Sequence, residues 1–587
     1  MSASPDGGRS GPAAPPPSTP AEDPLLSGLN PVQREAVLHG DGPLLIVAGA
    51  GSGKTRVLTH RIAHLIRDRG VSPFQLVAIT FTNKAADEMR QRVAVLVGPV
   101  AERMWVSTFH SACVRILRRD ASRLGYRSSF TIYDEADAVR LTGYVIRDLG
   151  LDAKRFPPRA VHGLISQAKN ELVGVDAFRD QARSLFDRKI ADVYAEYQHR
   201  LLAASAMDFD DLLMVTVELF RREPEVLAHY QERFRHVLVD EYQDTNRAQN
   251  ELVLLLAQRH RNLCVVGDSD QSIYRFRSAD VRNILEFENA FPDATVIVLE
   301  QNYRSTQTIL DAANAVIANN AMRKPKALWT EQVGGEVISR YHAEDEHDEA
   351  AWVVAEMGRL HREEHLRWGD LAVFYRANAQ SRVLEEELAR QSVPYKLVGG
   401  TRFYDRREVK DLLAYVRAAA NPSDEVSLKR IVNVPKRGVG DTSIGRLDAW
   451  AAAHGLAFAE ALVQAEQAGV TGKALGGISD LLALLGELRS NLAHGDAQDR
   501  RGPASLLEAV LERTGYTAEL EAERTVEAAG RLENIAELVG MAHEYPDVDS
   551  FLEAVSLVSD ADELEEDDSR VVLMTLHTAK GLEFPVV

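Results

Sequence analysis

The chain has 587 residues and a formal net charge of −19 from 68 Lys+Arg and 87 Asp+Glu; that length calls for several domains, and that charge argues against coating nucleic acid by bulk attraction while leaving room for a local basic groove. Cys113 and Cys264 are the only cysteines, which excludes a disulfide framework and a Cys-based structural zinc site. No apolar run approaches the ~20 residues of a membrane span, and no basic region followed by an apolar core opens the chain, so a cytoplasmic, membrane-free, multidomain enzyme is expected.

Residues 1–24 hold 7 Pro, 3 Gly and 4 Ser and little that is apolar, so they predict a disordered tail. From Leu29 short apolar runs alternate with helical patterns. Strands are predicted at Leu44–Val47, Leu76–Ile79, Val237–Val239, Leu263–Val266, Val296–Leu299 and Leu371–Tyr375. Two stretches read as helical throughout. The first, about 126–205, includes Asp134–Leu149 and Ile190–Leu202; the second, about 400–560, carries Leu481, Leu482, Leu484, Leu485 and Leu488. The fold class is therefore α/β, with two parallel-sheet domains each interrupted by a mainly helical insertion. Seven acids among the nine positions Asp560–Asp568 read as a solvated loop.

The segment Ala48-Gly49-Ala50-Gly51-Ser52-Gly53-Lys54-Thr55, with Arg56 beyond it, follows the first strand and opens a helix bearing Val57, Leu58, Ile62, Leu65 and Ile66. This is the setting of a P-loop: glycines let successive N–H groups point at phosphate oxygens, and the helix dipole adds to them. Ala48 stands where the strict pattern has its first Gly. Lys54 is expected to neutralise the β/γ-phosphates of ATP and Thr55 to ligate Mg²⁺. Strand Val237–Val239 runs into Asp240-Glu241, and acids at the end of a buried strand are costly unless they meet a cation. Asp240 is expected to hold Mg²⁺ through water and Glu241 to polarise the attacking water. Lys54 and Asp240 are 186 residues apart, too far for one compact sheet, which independently calls for the first insertion.

Ten segments occur in order: LNPVQREAV (29–37), AGAGSGKT (48–55), TFTNKAADEM (80–89), STFHS (107–111), DFDDLL (208–213), VDEYQD (239–244), VVGDSDQSIYRFR (265–277), LEQNYRS (299–305), VFYRANAQSR (373–382) and MTLHTAKGLEF (574–584). The chain resembles the superfamily 1A DNA helicases of the UvrD/Rep/PcrA family over almost its whole length after the tail. The resemblance implies two RecA-like domains, 1A (25–125 and 206–293) and 2A (294–399 and 569–587, incomplete), with insertions 1B (126–205) and 2B (400–568). It implies that Gln33 reads the adenine edge, Tyr303 stacks on the base, Glu583 bonds the ribose, Gln271 senses the γ-phosphate and Arg304 is an arginine finger. An Arg delivered only on closure would tie hydrolysis to domain motion.

For DNA, the resemblance points to Phe81, His110, Tyr274 and Phe276 as aromatic contacts, with Arg277, Arg376 and Asn378 beside them; Phe276 stands where the family commonly has Trp. Stacking platforms accept any base, so the grip is expected to be sequence-independent and salt-sensitive. The turn containing Gly438 and Gly440 resembles a duplex-gripping loop, with a plain helix–helix turn as the alternative. The implied activity is ATP-dependent 3′–5′ translocation on single-stranded DNA with unwinding at single/double-strand junctions, as monomer or dimer, in repair and replication restart alongside repair-protein partners. Two alternatives stay open: a motor that strips proteins from DNA, and a nucleotide-gated clamp. The family's pattern continues beyond MTLHTAKGLEF to a second arginine finger and a strand-separating hairpin. The expectation is therefore that residues 1–587 alone bind ATP–Mg²⁺ and single strands, hydrolyse poorly and do not unwind.

Overall fold

Runs of consecutive buried aliphatic residues, rather than alternating ones, build the first sheet, because a parallel sheet covered on both faces exposes neither. In the computed structural model, which describes residues 23, 25–399, 403–494, 502–557 and 569–587, eleven strands occur among the described residues: β1 Leu44–Ala48, β2 Leu76–Thr80, β3 Trp105–Thr108, β4 Thr131–Tyr133, β5 Ala206–Asp208, β6 His236–Val239, β7 Leu263–Gly267, β8 Thr295–Leu299, β9 Ala372–Tyr375, β10 Tyr395–Leu397 and β11 Val571–Thr575. The large sheet has the order β3-β2-β6-β7-β1-β8, with every pairing parallel. Helices on its two faces bury separate apolar clusters, one including Leu45, Val77 and Val237, the other Leu44, Ala78 and Leu238. All six predicted strands form.

Three expectations need correction. The first domain was expected to end at 293, but β8 pairs with β1 in register Leu44↔Thr295 to Ala48↔Leu299, so the first sheet takes its edge strand from beyond that boundary. The stretch 126–205 was expected to be helical throughout, yet β4 pairs in parallel with β5; three residues are too few for a pattern to stand out inside helical text. β3 was not among the predicted strands, although it forms the other edge of the large sheet. The expected tail apart from Asp23, and the acidic run Asp560–Asp568, lie outside the described residues.

The second sheet is smaller, β10-β11-β9, again parallel, with Val586 bridging to Leu371 beside β9. The helices Glu135–Asp148, Pro158–Asn170 and Leu185–Ala203 make the first insertion. The second packs around the buried helix Arg407–Ala420 and holds the largest apolar cluster among the described residues. The two insertions meet through polar groups: Arg417 donates to Asp137 at 2.7 Å, the Tyr133 hydroxyl to Asp424 at 2.7 Å, and Asn421 to Thr131 at 2.9 Å. No helix is long and apolar enough to cross a membrane among the described residues.

Candidate nucleotide site and DNA interface

The carboxyl ends of β1, β6 and β7 lie side by side in the large sheet, and the loops leaving them converge. After β1 the chain turns through Gly49–Gly53 into the helix Lys54–Arg67. Gly51 (φ 66°) and Gly53 (φ 86°) occupy the left-handed region, which an L side chain adopts only under strain. Space is short as well: a Cβ on Gly51 would come within 2.6 Å of Asn302 Nδ2, and one on Gly53 within 2.9 Å of Gln33 Nε2. Ala48 is the buried last residue of β1, so its side chain belongs to the core rather than to the loop. Ser52 Oγ donates to Gly49 O at 2.8 Å and closes the turn. Thr55 and Arg56 occupy the first helical turn, Arg56 exposed.

Glu241 leaves β6 with φ 51°, a costly conformation for a non-glycine residue that persists only where the surroundings impose it. Lys54 Nζ lies 2.8 Å from Glu241 Oε1, and Gln243 Nε2 donates to Glu241 Oε2 at 2.6 Å. Burial opposes ionisation of Glu241, but Lys54 and then Lys580 outweigh it and hold the carboxyl well below the usual range. Burial likewise disfavours the Lys54 cation, and Glu241 and Asp240 more than compensate, so its pKa is raised. Asp240 differs. It is buried, its Oδ1 accepts the Glu241 backbone N–H at 2.9 Å, and no cation comes within ion-pair reach of it among the described residues. Burial first and the Glu241 charge second push its carboxyl up. A buried acid with no ion-pair partner among the described residues fits a divalent metal ion, and Thr55 with Asp240 would hold it.

Gln271 closes the third side. Lys54 Nζ donates to its Oε1 at 3.4 Å, its own Nε2 donates to Asp268 at 2.6 Å, and Lys580 Nζ donates to its carbonyl at 2.7 Å. On the flank of the loop, Gln33 is buried in a capping box with Asn30 and donates to Ser52 O at 2.9 Å, while Asn30 donates to the half-exposed Tyr303 hydroxyl at 2.9 Å. Gln33 and Tyr303 are thus brought to one side of the loop. Arg304 follows directly, its Cβ within 2.7 Å of where a Cβ on Gly51 would stand. Its guanidinium is ion-paired with Glu583, so the expected finger and the expected ribose acceptor hold each other.

Three further features left no signal in the sequence. Asn302 pins the loop by donating to Ala50 O at 2.6 Å. Lys326, buried, pairs with Asp268 at 2.5 Å and with Asp270, and Arg323 pairs with Asp270 at 2.7 Å. Lys580 reaches Asp244, Gln271 and, at 4.0 Å, Glu241. Each joins residues far apart in the chain, where no local pattern exists.

Beneath this site a cavity of about 1620 Å³ runs between the large sheet and both insertions, and Phe81, His110, Tyr274, Phe276 and Arg277 all line it. Phe276 is 63% exposed, with His577 edge-on to its ring at 4.9 Å and the Arg277 guanidinium over it at 5.7 Å. Tyr274 is less free: its hydroxyl donates to His577 O at 2.9 Å, and Lys580 and Arg277 lie over its ring at 5.1 and 5.7 Å. It joins the loop after β7 to the loop after β11 more than it offers a face. Phe81 packs edge-on against Phe109 at 5.6 Å, and His110 against Phe209 at 5.4 Å. Burial pushes the His110 pKa down to about 4, so it is neutral near pH 7. Arg376 reaches the wall through His577 at 3.5 Å, while the exposed Asn378 donates to Gly399 O at 3.1 Å.

Gly438 and Gly440 are not among the residues lining the cavity. Gly438 has φ 79° and Gly440 caps the helix Asp441–His454. In that turn the N–H groups of Arg437 and Val439 are spent on the Asn433 side chain at 2.8 and 3.2 Å, and the Arg437 guanidinium faces inward to Ile431 O and Val434 O. Much of its phosphate-binding capacity is therefore used within the fold.

The chain matches the UvrD/REP helicase N-terminal domain over residues 29–292 and the UvrD-like helicase C-terminal domain over 297–470 and 496–587. It is 50% identical over 575 residues to the ATP-dependent DNA helicase PcrA of Bacillus subtilis, covering 96% of this chain and 77% of that protein. It is 52% identical over 611 residues to the ATP-dependent DNA helicase UvrD1 of Mycobacterium tuberculosis, covering 98% and 78%. With PcrA of Staphylococcus aureus the identity is 48% over 571 residues, covering 96% and 77%. The chain is a member of the UvrD/REP helicase family.

Proposed function

We propose that this protein is an ATP-dependent DNA helicase that moves 3′ to 5′ along single-stranded DNA and opens duplex at junctions. The observation that carries the proposal is the direct connection between the two sites: Lys54 and Glu241 pair at 2.8 Å, Lys580 joins Glu241, Asp244 and Gln271, and the same Lys580 lies over Tyr274 in the wall of the cavity. In this reading Lys54 leaves Glu241 for the β/γ-phosphates as ATP enters, freeing the carboxylate to polarise the attacking water. Thr55 and Asp240 would hold Mg²⁺, which would neutralise phosphate charge. Gln33 and Tyr303 fix the base. Arg304 releases Glu583, which bonds the ribose, and turns to the γ-phosphate as the second sheet closes.

Gln271 carries the phosphate state to the loop holding Tyr274 and Phe276, so closure shifts the bases stacked in the cavity. Phe81, His110, Arg277, Arg376 and Asn378 line the strand's path, and Gly438 and Gly440 approach duplex ahead of it. The domain division 1A, 1B, 2A and 2B is retained in this proposal with β8 moved into 1A. Work at repair and replication intermediates follows from that polarity and substrate. Direction is tested by ATP-driven displacement of streptavidin from end-biotinylated oligonucleotides. The proposal expects release from the 5′ end; faster release from the 3′ end would overturn the polarity.

A further inference from the structure

A second, smaller cavity lies on the opposite side of the large sheet from the nucleotide site. Its volume is about 290 Å³, and its lining includes Phe74, Arg103, Trp105, Arg115, Arg119 and Arg233. Phe74 precedes β2, Arg103 precedes β3 and Arg233 precedes β6, and these three strands are neighbours in the order β3-β2-β6. The pocket therefore sits at the amino ends of the strands whose carboxyl ends carry the proposed ATP and DNA chemistry.

Its electrostatics are unusual for a chain of net charge −19. The Arg115 and Arg233 guanidinium carbons lie over the Trp105 ring at 5.5 and 4.9 Å, and that of Arg103 over Phe74 at 5.3 Å. No carboxylate comes within ion-pair reach of Arg103, Arg115 or Arg233 among the described residues. The acids nearby are committed or distant: Asp120 accepts from Tyr230 at 3.1 Å and stands 3.8 Å from Arg119, and Glu553 faces Arg115 without pairing. Burial disfavours the Arg115 charge; Glu553 acts against that, and Arg90 and Arg233 add to it, leaving its pKa lowered. Guanidinium groups gathered here with no ion-paired carboxylate on Arg103, Arg115 or Arg233 among the described residues, and only Glu553 and Asp120 nearby, favour an external anion.

The Trp105 ring carries two guanidinium groups and meets Phe234 edge-on at 4.9 Å, which leaves it less free face for a base than Phe276 has. What the arginines still offer is their fork of N–H donors, which matches carboxylate geometry. Met104, Phe74 and Trp105 add an apolar lining that a bare phosphate backbone would leave unused.

We propose that this pocket is a docking site for an acidic peptide segment of a partner protein, with carboxylates on the arginine forks and one apolar side chain in the cavity. It is independent of the proposed motor chemistry on the far edge of the sheet. The probe is a short fluorescein-labelled peptide of Asp and Glu around one central Trp, titrated onto the full chain by fluorescence anisotropy. Binding is expected, weakened when Gly replaces the Trp. Combined Arg115→Glu and Arg233→Glu should lower affinity by about tenfold or more, with single-strand affinity and ATP turnover unchanged. If that variant fails to fold, Arg115→Lys with Arg233→Lys keeps the charge, loses the fork and should still weaken binding several-fold. Affinity indifferent to these substitutions overturns the proposal. So does competition by oligo-dT or inorganic phosphate as effective as by unlabelled peptide, which would make the pocket a general phosphate contact.

Discussion

Glu241 combines opposed forces: a left-handed backbone, a buried carboxylate and two cations, Lys54 and Lys580, that outweigh the burial. With Lys54 and Lys580 beside it, its low pKa keeps it ionised at neutral pH, and in the proposed reaction it polarises water once Lys54 has turned to the phosphates. Glu241→Gln should keep nucleotide binding, since Asp240, Thr55 and Lys54 remain, but lower kcat by ~10² or more; kcat within a few-fold of wild type would make Glu241 structural. His110 supplies a pH test. Its pKa is depressed to about 4, so the unfolded chain takes up the proton first as pH falls below about 6.5. Stability from this group is complete above that value and lost toward about 4, by at most ~1.4 kcal/mol per pH unit. His110 therefore carries no charge between pH 6 and 8, and single-strand affinity should not respond to it there. A rise in affinity toward pH 6 that His110→Asn removes would contradict this.

At the scale of elements, the loop after β1 was legible because its strand, glycine spacing and following helix are contiguous in sequence, whereas the side chains that crowd Gly49 and Gly51, namely Leu328, Asn302 and Arg304, come from far along the chain. Gly51→Ala forces a left-handed side chain into contact with Asn302 and Arg304. It should cost about 1–3 kcal/mol in thermal unfolding and raise the KM for ATP; unchanged values of both would contradict the loop geometry. The strand-plus-acid pattern at Asp240 and Glu241 was legible for the same reason. β4 and β5 were hidden by their brevity, and the membership of β8 by an assumption that a motif boundary is a sheet boundary. The Lys326–Asp268–Asp270–Arg323 knot and the reach of Lys580 were illegible in principle: pairing across 53 to 58 residues for the knot, and 336 for Lys580 with Asp244, leaves no periodic trace. Arg304 and Glu583 were each legible as motif residues, but their pairing with one another was not.

Over the whole molecule, the two insertions meet beside the large cavity through buried polar contacts as well as through Val426, which joins the first insertion's apolar cluster. Arg417 and Asp137 are both nearly buried and bond at 2.7 Å. Arg417→Ala would leave Asp137 without that partner, and breaking such a pair costs about 3–5 kcal/mol; a loss below about 1 kcal/mol in urea unfolding would show that the contact yields without consequence. In the proposed function the Lys54–Glu241 site and the aromatic cavity work as one device. Steady-state ATP turnover of the full chain is to be measured with and without a single-stranded oligonucleotide. Turnover should be stimulated by the strand and abolished in Lys54→Ala. Turnover indifferent to the strand, or largely surviving Lys54→Ala, would contradict it.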